Sequence, residues 1–154
     1  MLDVRDAEGR AAALVEAAVK AGADAADVLY IGDGSTEVQV RLGELEDVAR
    51  SEGEEIGLRF FVGSRSASVS SSDLSRDALA ALVERAAAMA REAPEDPYAG
   101  LAPDERLLRG DAPALDADDH ADPLPVALKA RALAIEEAAR NVPGITNSEG
   151  AGMS

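Results

Sequence analysis

The sequence predicts an α+β domain: an antiparallel sheet of about four strands with helices packed on one face, in the order helix, strands, helix, connector, helix. Three observations carry this reading. Short runs of alternating apolar residues lie between glycine turns. Three other segments repeat their apolar residues every three or four positions. A Pro- and acid-rich stretch after Ala93 follows neither period.

The first helix is expected from about Ala7 to Ala21, with Ala11, Leu14, Val15, Ala18 and Val19 on one face and Gly22 placed to end it. Its alanines give high propensity but little buried area, so it needs a sheet to lean on. Ala26 to Ile31 reads as a strand and Gly32-Asp33-Gly34-Ser35 as a turn. Thr36 to Leu42 follows as a second strand with Val38, Val40 and Leu42 on one side. Gly43 interrupts it. Leu45 and Val48 have opposite parity, which predicts a bulge or a strand change between them.

The best-specified stretch runs from Gly53 to Ala93. In Ile56 to Val62, Ile56, Leu58, Phe60 and Val62 alternate with Gly57, Arg59 and Phe61, which puts one of the two phenylalanines on the inner face. Gly63-Ser64-Arg65 is a turn, and Ser66 to Ser72 pairs back with Ala67 and Val69 inward. Ser75 then caps a helix whose apolar face is Leu79, Leu82, Val83, Ala86, Met89 and Ala90, until Pro94 forbids continuation.

Residues 1–93 are thus read as the α+β core and 94–122 as an acidic connector over the surface. Residues 123–154 are read as a third helix leading to a truncated strand and turn. That helix starts at Pro123 or Pro125, with Asp122 as cap and Leu124, Leu128, Ile135, Ala139 and Val142 on its buried side. After Pro143-Gly144, the last ten residues look like a strand start and a glycine-rich turn that stops, so a longer parent chain is expected.

The 154 residues carry 30 acids against 15 bases, a formal net charge of -15. A field of that sign repels phosphate backbones and argues against nucleic-acid binding. No cysteine is present, which excludes thiol chemistry and disulfides. Neither a spanning apolar run nor a signal-peptide pattern is found, and a cytoplasmic location without membrane contact is expected.

No constellation of side chains reads as an active site. Gly32-Asp33-Gly34 lacks the third glycine and the following helix of a phosphate loop. Asp116, Asp118, Asp119, His120 and Asp122 are the only dense set of potential ligands. They fail as a calcium loop because Ala121 and Ala127 stand where the glycine and the closing glutamate belong. The serines from Ser64 to Ser72 have no base linked to them, and His120 is the sole imidazole. Glu54-Glu55 and Glu136-Glu137 are sequence neighbours whose side chains diverge. Catalytic, cofactor and metal residues are therefore assigned as none.

The order of several motifs resembles the TldD/PmbA family, once called modulators of DNA gyrase, and within it the PmbA (TldE) branch. The resemblance rests on Val40-Arg41-Leu42-Gly43-Glu44-Leu45-Glu46 followed by Gly57, and on Ser70-Ser71-Ser72-Asp73-Leu74-Ser75 before an Ala-rich helix. It extends to Ala93-Pro94-Glu95-Asp96-Pro97-Tyr98-Ala99-Gly100-Leu101 and Ile145-Thr146-Asn147-Ser148-Glu149-Gly150. It implies an N-terminal domain of a cytoplasmic protein that works in TldD/TldE-type zinc-dependent peptidase complexes on peptides or unfolded proteins. In the TldD branch the metal sits on a His-Glu-x-x-x-His helix in the C-terminal half. Nothing here matches that motif, so no catalytic residue carries over and the zinc belongs to a catalytic partner.

The resemblance implies as partners a TldD-like subunit or a second copy of the chain, together with a peptide substrate. The domain's expected contribution is chamber walls and subunit contacts. Asn147, Ser148, Glu149 and Gly150 are the expected segment facing the missing half or the partner. The competing reading is a stand-alone acidic protein-interaction module. Carboxylates spread over helices and connector suit solubility better than mimicry of nucleic acid.

Overall fold

The computed structural model describes residues 1–111, 113–117 and 121–154. Its elements are α1 (Val4–Lys20), β1 (Ala25–Arg41), β2 (Glu44–Val62), β3 (Arg65–Ser71), α2 (Arg76–Glu92), α3 (Pro125–Arg140) and β4 (Ala151–Met153), with a single 3₁₀ turn at Asp104–Arg106. The strands form one four-stranded antiparallel sheet in the order β3-β2-β1-β4. This is the expected α+β class, with the expected order of helices and strands. The chain divides into two compact units, Met1–Asp33 with Gly53–Ala112 and Gly34–Glu52 with Pro113–Ser154.

In the first unit, α1 begins at Asp3, whose side chain accepts the Asp6 amide, and α2 begins at Ser75, whose hydroxyl accepts the Ala78 amide. β2 and β3 turn through Gly63-Ser64, with Val62 opposite Arg65 and positive φ at Gly63. Ile56, Leu58 and Phe60 of β2 meet Leu14 and Ala18 of α1 and Leu82, Val83, Ala86, Ala87 and Ala90 of α2 in a continuous apolar core. Each large side chain buried there contributes about 1.5–3 kcal/mol. The contact face of α2 includes Ala87 and leaves Met89 half exposed, whereas Met89 was expected inside. Phe61, on the other side of β2, is buried too: the Arg59 guanidinium, held by Asp27, lies 5.1 Å from its ring centroid.

The expected turn at Gly32-Asp33-Gly34-Ser35 does not exist, since β1 runs through it as a single 17-residue strand. Gly32 sits instead at a tight approach of two side chains. A Cβ on Gly32 would lie 3.0 Å from the Met1 sulfur and 3.1 Å from the Tyr30 hydroxyl. The real turn is Leu42-Gly43, where both residues have positive φ (52° and 84°), the pattern of a two-residue hairpin. Beyond it β2 continues unbroken through Leu45 and Val48, so no strand change separates them. Both side chains are exposed, which removes the burial that would have made their parity informative.

In the second unit, Val38 and Val40 of β1 pack against Leu128 and Ala132 of α3, flanked by Leu133, Ala151 and Met153. β4 pairs antiparallel with β1 at Val38–Val40 only. α3 starts at Pro125 with Leu124 as N-cap and no side-chain cap, so Asp122 does not fill that role. Its buried stripe is Leu128, Ala132 and Glu136. Leu124, Ile135, Ala139 and Val142, expected inside, are exposed because the helix is rotated to bring Glu136 inward.

Candidate functional site: the Glu136 latch

The most organised polar arrangement among the described residues is built on Glu136, which is 2% exposed. It follows Leu128 and Ala132 at steps of four, so helical periodicity alone places its side chain on the packed stripe of α3. There one carboxylate oxygen accepts the Leu42 amide at 2.7 Å and the other accepts the Gly43 amide at 2.8 Å. Tight-turn amides with positive φ have no ladder partner, and a buried carboxylate supplies two acceptors at once.

Burial pushes the Glu136 carboxyl up. The Ser148 hydroxyl, the two turn amides and the nearby Arg140 charge outweigh it and hold the group below the usual carboxylate range. It is therefore an ionised acceptor with both oxygens engaged. Such a group positions backbone.

The same carboxylate ties down the segment expected to face a partner. Ser148 bonds to Glu136, and its oxygen also accepts the Gly150 amide at 2.9 Å. Gly150 has φ of 108°, and a Cβ there would fall 2.5 Å from the Val40 carbonyl oxygen. Asn147 lines a cleft of about 540 Å³ with Gly43, Leu133, Arg140, Ile145 and Thr146, and Glu149 is exposed. Of the four residues, the structure thus brings Ser148 and Gly150 onto the latch and Asn147 onto the adjoining cleft. In the sequence Glu136 stands out only as a neighbour of Glu137 with a diverging side chain. Its spacing from Leu128 was the available signal.

A second polar cluster closes the other unit. The Glu54 carboxylate accepts the Tyr30 hydroxyl at 2.6 Å and the Leu2 amide at 2.7 Å, and it lies 3.4 Å from the Met1 ammonium. The Tyr30 hydrogen bond lowers Glu54, and the same bond raises Tyr30.

Zinc finds no donor set among the described residues: no three His, Cys, Asp or Glu side chains converge, and the well-placed carboxylates at Glu136, Glu54 and Asp27 are committed to amides, a phenol and a guanidinium. Asp116 and Asp122 are exposed; Asp118, Asp119 and His120 lie outside the described residues. No described helix is long and apolar enough to cross a membrane.

Residues 26–90 match the family model described as PmbA/TldA metallopeptidase domain 1. The chain is 37% identical over 128 residues to the metalloprotease PmbA of Escherichia coli O157:H7, covering 82% of this chain and 28% of that protein. It is 37% identical over 108 residues to a PmbA homologue of Haemophilus influenzae, covering 70% of this chain and 24% of that protein. The chain therefore spans less than a third of the length of these curated relatives. Two solved structures share the fold. One, from Bacteroides thetaiotaomicron and described as a candidate modulator of DNA gyrase, superposes with a TM-score of 0.80 at 23% identity, over 93% of this chain and 33% of that one. The other, TldE from Thermococcus kodakarensis, superposes with a TM-score of 0.66 at 17% identity, over 87% and 30%.

Proposed function

Because the chain belongs to the PmbA/TldD family, whose first domain matches residues 26–90, we propose that it serves as a non-catalytic first domain of a metallopeptidase-related protein. In this role it walls a substrate chamber, contacts a partner subunit and offers a strand edge to extended peptides. The supporting observation is an edge that, among the described residues, no strand fills beyond its end. β1 is 17 residues long, and β4 pairs with only three of them, Val38–Val40. Unpaired amides and carbonyls along a strand recruit another extended chain through main-chain bonds, a mode that reads little of the side-chain sequence and so suits varied peptides.

The subunit contact uses the second unit. There the Glu136 latch ties down the segment from Asn147 to Gly150 through Ser148, and Leu124, Ile135 and Val142 on and around α3 expose apolar side chains. Zinc chemistry belongs to a TldD-type partner in the cytoplasm.

Hydrogen exchange with and without an unstructured peptide tests the edge. Slower exchange of β1 amides in the presence of peptide is the expected result. Unchanged protection throughout β1 removes peptide addition from the role.

A further inference from the structure

The groove between α1 and α2 has no part in that role. Leu14, Ala17, Leu74 and Leu79 line a cleft of about 660 Å³ there, a size that suits a small organic ligand. Arg10 and Arg76 stand in the same lining, and no Asp or Glu does. Asp73 and Asp77 are close in sequence but do not line the cleft, and the Asp73 carboxylate accepts the Ser75 amide at 2.8 Å.

Arg10 is half-buried and donates through Nη1 to the Leu74 carbonyl at 2.6 Å, which fixes its guanidinium at the cleft and uses one of five N–H donors. Among the described residues no carboxylate oxygen comes within 4.0 Å of Arg10 or Arg76. In a chain with 30 acids and 15 bases, a half-buried guanidinium without an acid partner, set over an apolar floor, is a local reversal of the prevailing charge. The complement of that surface is an apolar body ending in one negative charge.

We propose that the α1–α2 cleft binds an apolar carboxylate, with the hydrocarbon on Leu14, Leu74 and Leu79 and the carboxylate shared between Arg10 and Arg76. Guanidinium forks match carboxylate geometry, and the pair is worth most where one partner is already partly desolvated. The site is independent of the strand edge proposed above, so either can fail without the other.

The test is a titration of the isotope-labelled 154-residue chain, followed by amide chemical shifts, with sodium octanoate, 1-octanol and octylammonium chloride. Saturable shifts at Leu14, Leu74 and Leu79 with octanoate, and affinity about 10-fold lower for the other two, are expected. Arg76→Gln, at an exposed position, and Arg10→Gln each weaken octanoate binding, while the amide spectrum elsewhere reports an intact fold. Acetyl-Ala-Ala-Leu as free acid and as C-terminal amide separates the two sources of such a group. Tighter binding of the free acid than of octanoate, lost in the amide, assigns the site to a chain terminus; tighter octanoate assigns it to a free monocarboxylate. Absence of saturation with every carboxylate probe, equal affinity for octanol, or indifference to both arginine substitutions overturns the proposal.

Discussion

The Glu136 carboxylate accepts the Gly43 amide at 2.8 Å across 93 residues of sequence. The bond makes one side chain of α3 the terminus of a hairpin turn. Glu136→Ala leaves the Leu42 and Gly43 amides without their acceptor in a part-buried site, and unsatisfied buried donors cost more than the bond they lose. The expected outcome is a thermal midpoint lower by several degrees and faster exchange of the Leu42, Gly43 and Gly150 amides, with α2 amides unaffected. Glu136→Gln, which keeps one acceptor oxygen, falls between. Uniform acceleration across both units would instead indicate global destabilisation.

Stability should weaken at both ends of the pH scale, for different groups. Glu136, Glu54 and Asp73 are all lowered in the folded state, so their contribution is complete above the ordinary carboxylate values of about 4 and is lost as pH falls through the lower folded ones. Tyr30 is raised, so its contribution is complete below about 10 and is lost as pH rises through its folded value. Thermal melts from pH 3 to 11 should show a plateau with two shoulders. Tyr30→Phe should remove part of the alkaline one, and Glu136→Gln part of the acid one.

Two glycines should respond oppositely to alanine. Gly150→Ala meets a fixed carbonyl, that of Val40, at 2.5 Å in a backbone conformation unfavourable to side chains, and should cost about 2 kcal/mol or more while releasing β4. Gly57→Ala meets only the Leu29 carbonyl oxygen, at an ordinary 3.9 Å, and should be neutral or stabilising by up to about 1 kcal/mol. Denaturant melts of both variants check the contrast.

Ile135 is 52% exposed on α3. Ile135→Lys should change the stability of the isolated chain by no more than about 0.5 kcal/mol, because Ile135 belongs to neither packed core. If the α3 surface carries the subunit contact, the same change should weaken association with a TldD-type partner by 10-fold or more on the order-of-magnitude scale of interface anchors. Equilibrium melts and sedimentation of the mixed proteins separate the two effects.

The core was legible where each residue had a single reason for its position. Ile56, Leu58 and Phe60 alternate because one face is packed, and Ser75 precedes a helix because its hydroxyl fills a free amide. Errors arose where a residue had a distant reason. Gly32 looked like a turn because glycine at a close approach to Met1 and Tyr30 reads the same in sequence as glycine at a bend. Ile135 and Val142 looked buried because apolar spacing marks an apolar surface without saying what covers it. Glu136 looked inert because a carboxylate's value depends on amides 93 and 94 positions away. Arg10 gave no local signal either, since its meaning comes from the floor that Leu74 and Leu79 supply from α2 and the loop before it.

The three-residue β4 also bears on how the chain assembles. The β1–β2 and β2–β3 hairpins close through two-residue turns, so they can form as soon as each strand has been synthesised. β4 emerges after the other elements described above, and it returns to Val38–Val40 across more than a hundred residues, a closure slower than theirs. Until then a nascent chain displays the β4 side of that stretch of β1 without its strand, the condition under which neighbouring copies on one message stick together. A net charge of -15 gives those copies mutual repulsion during the interval, a part for the acidic residues in biosynthesis as well as in the finished protein.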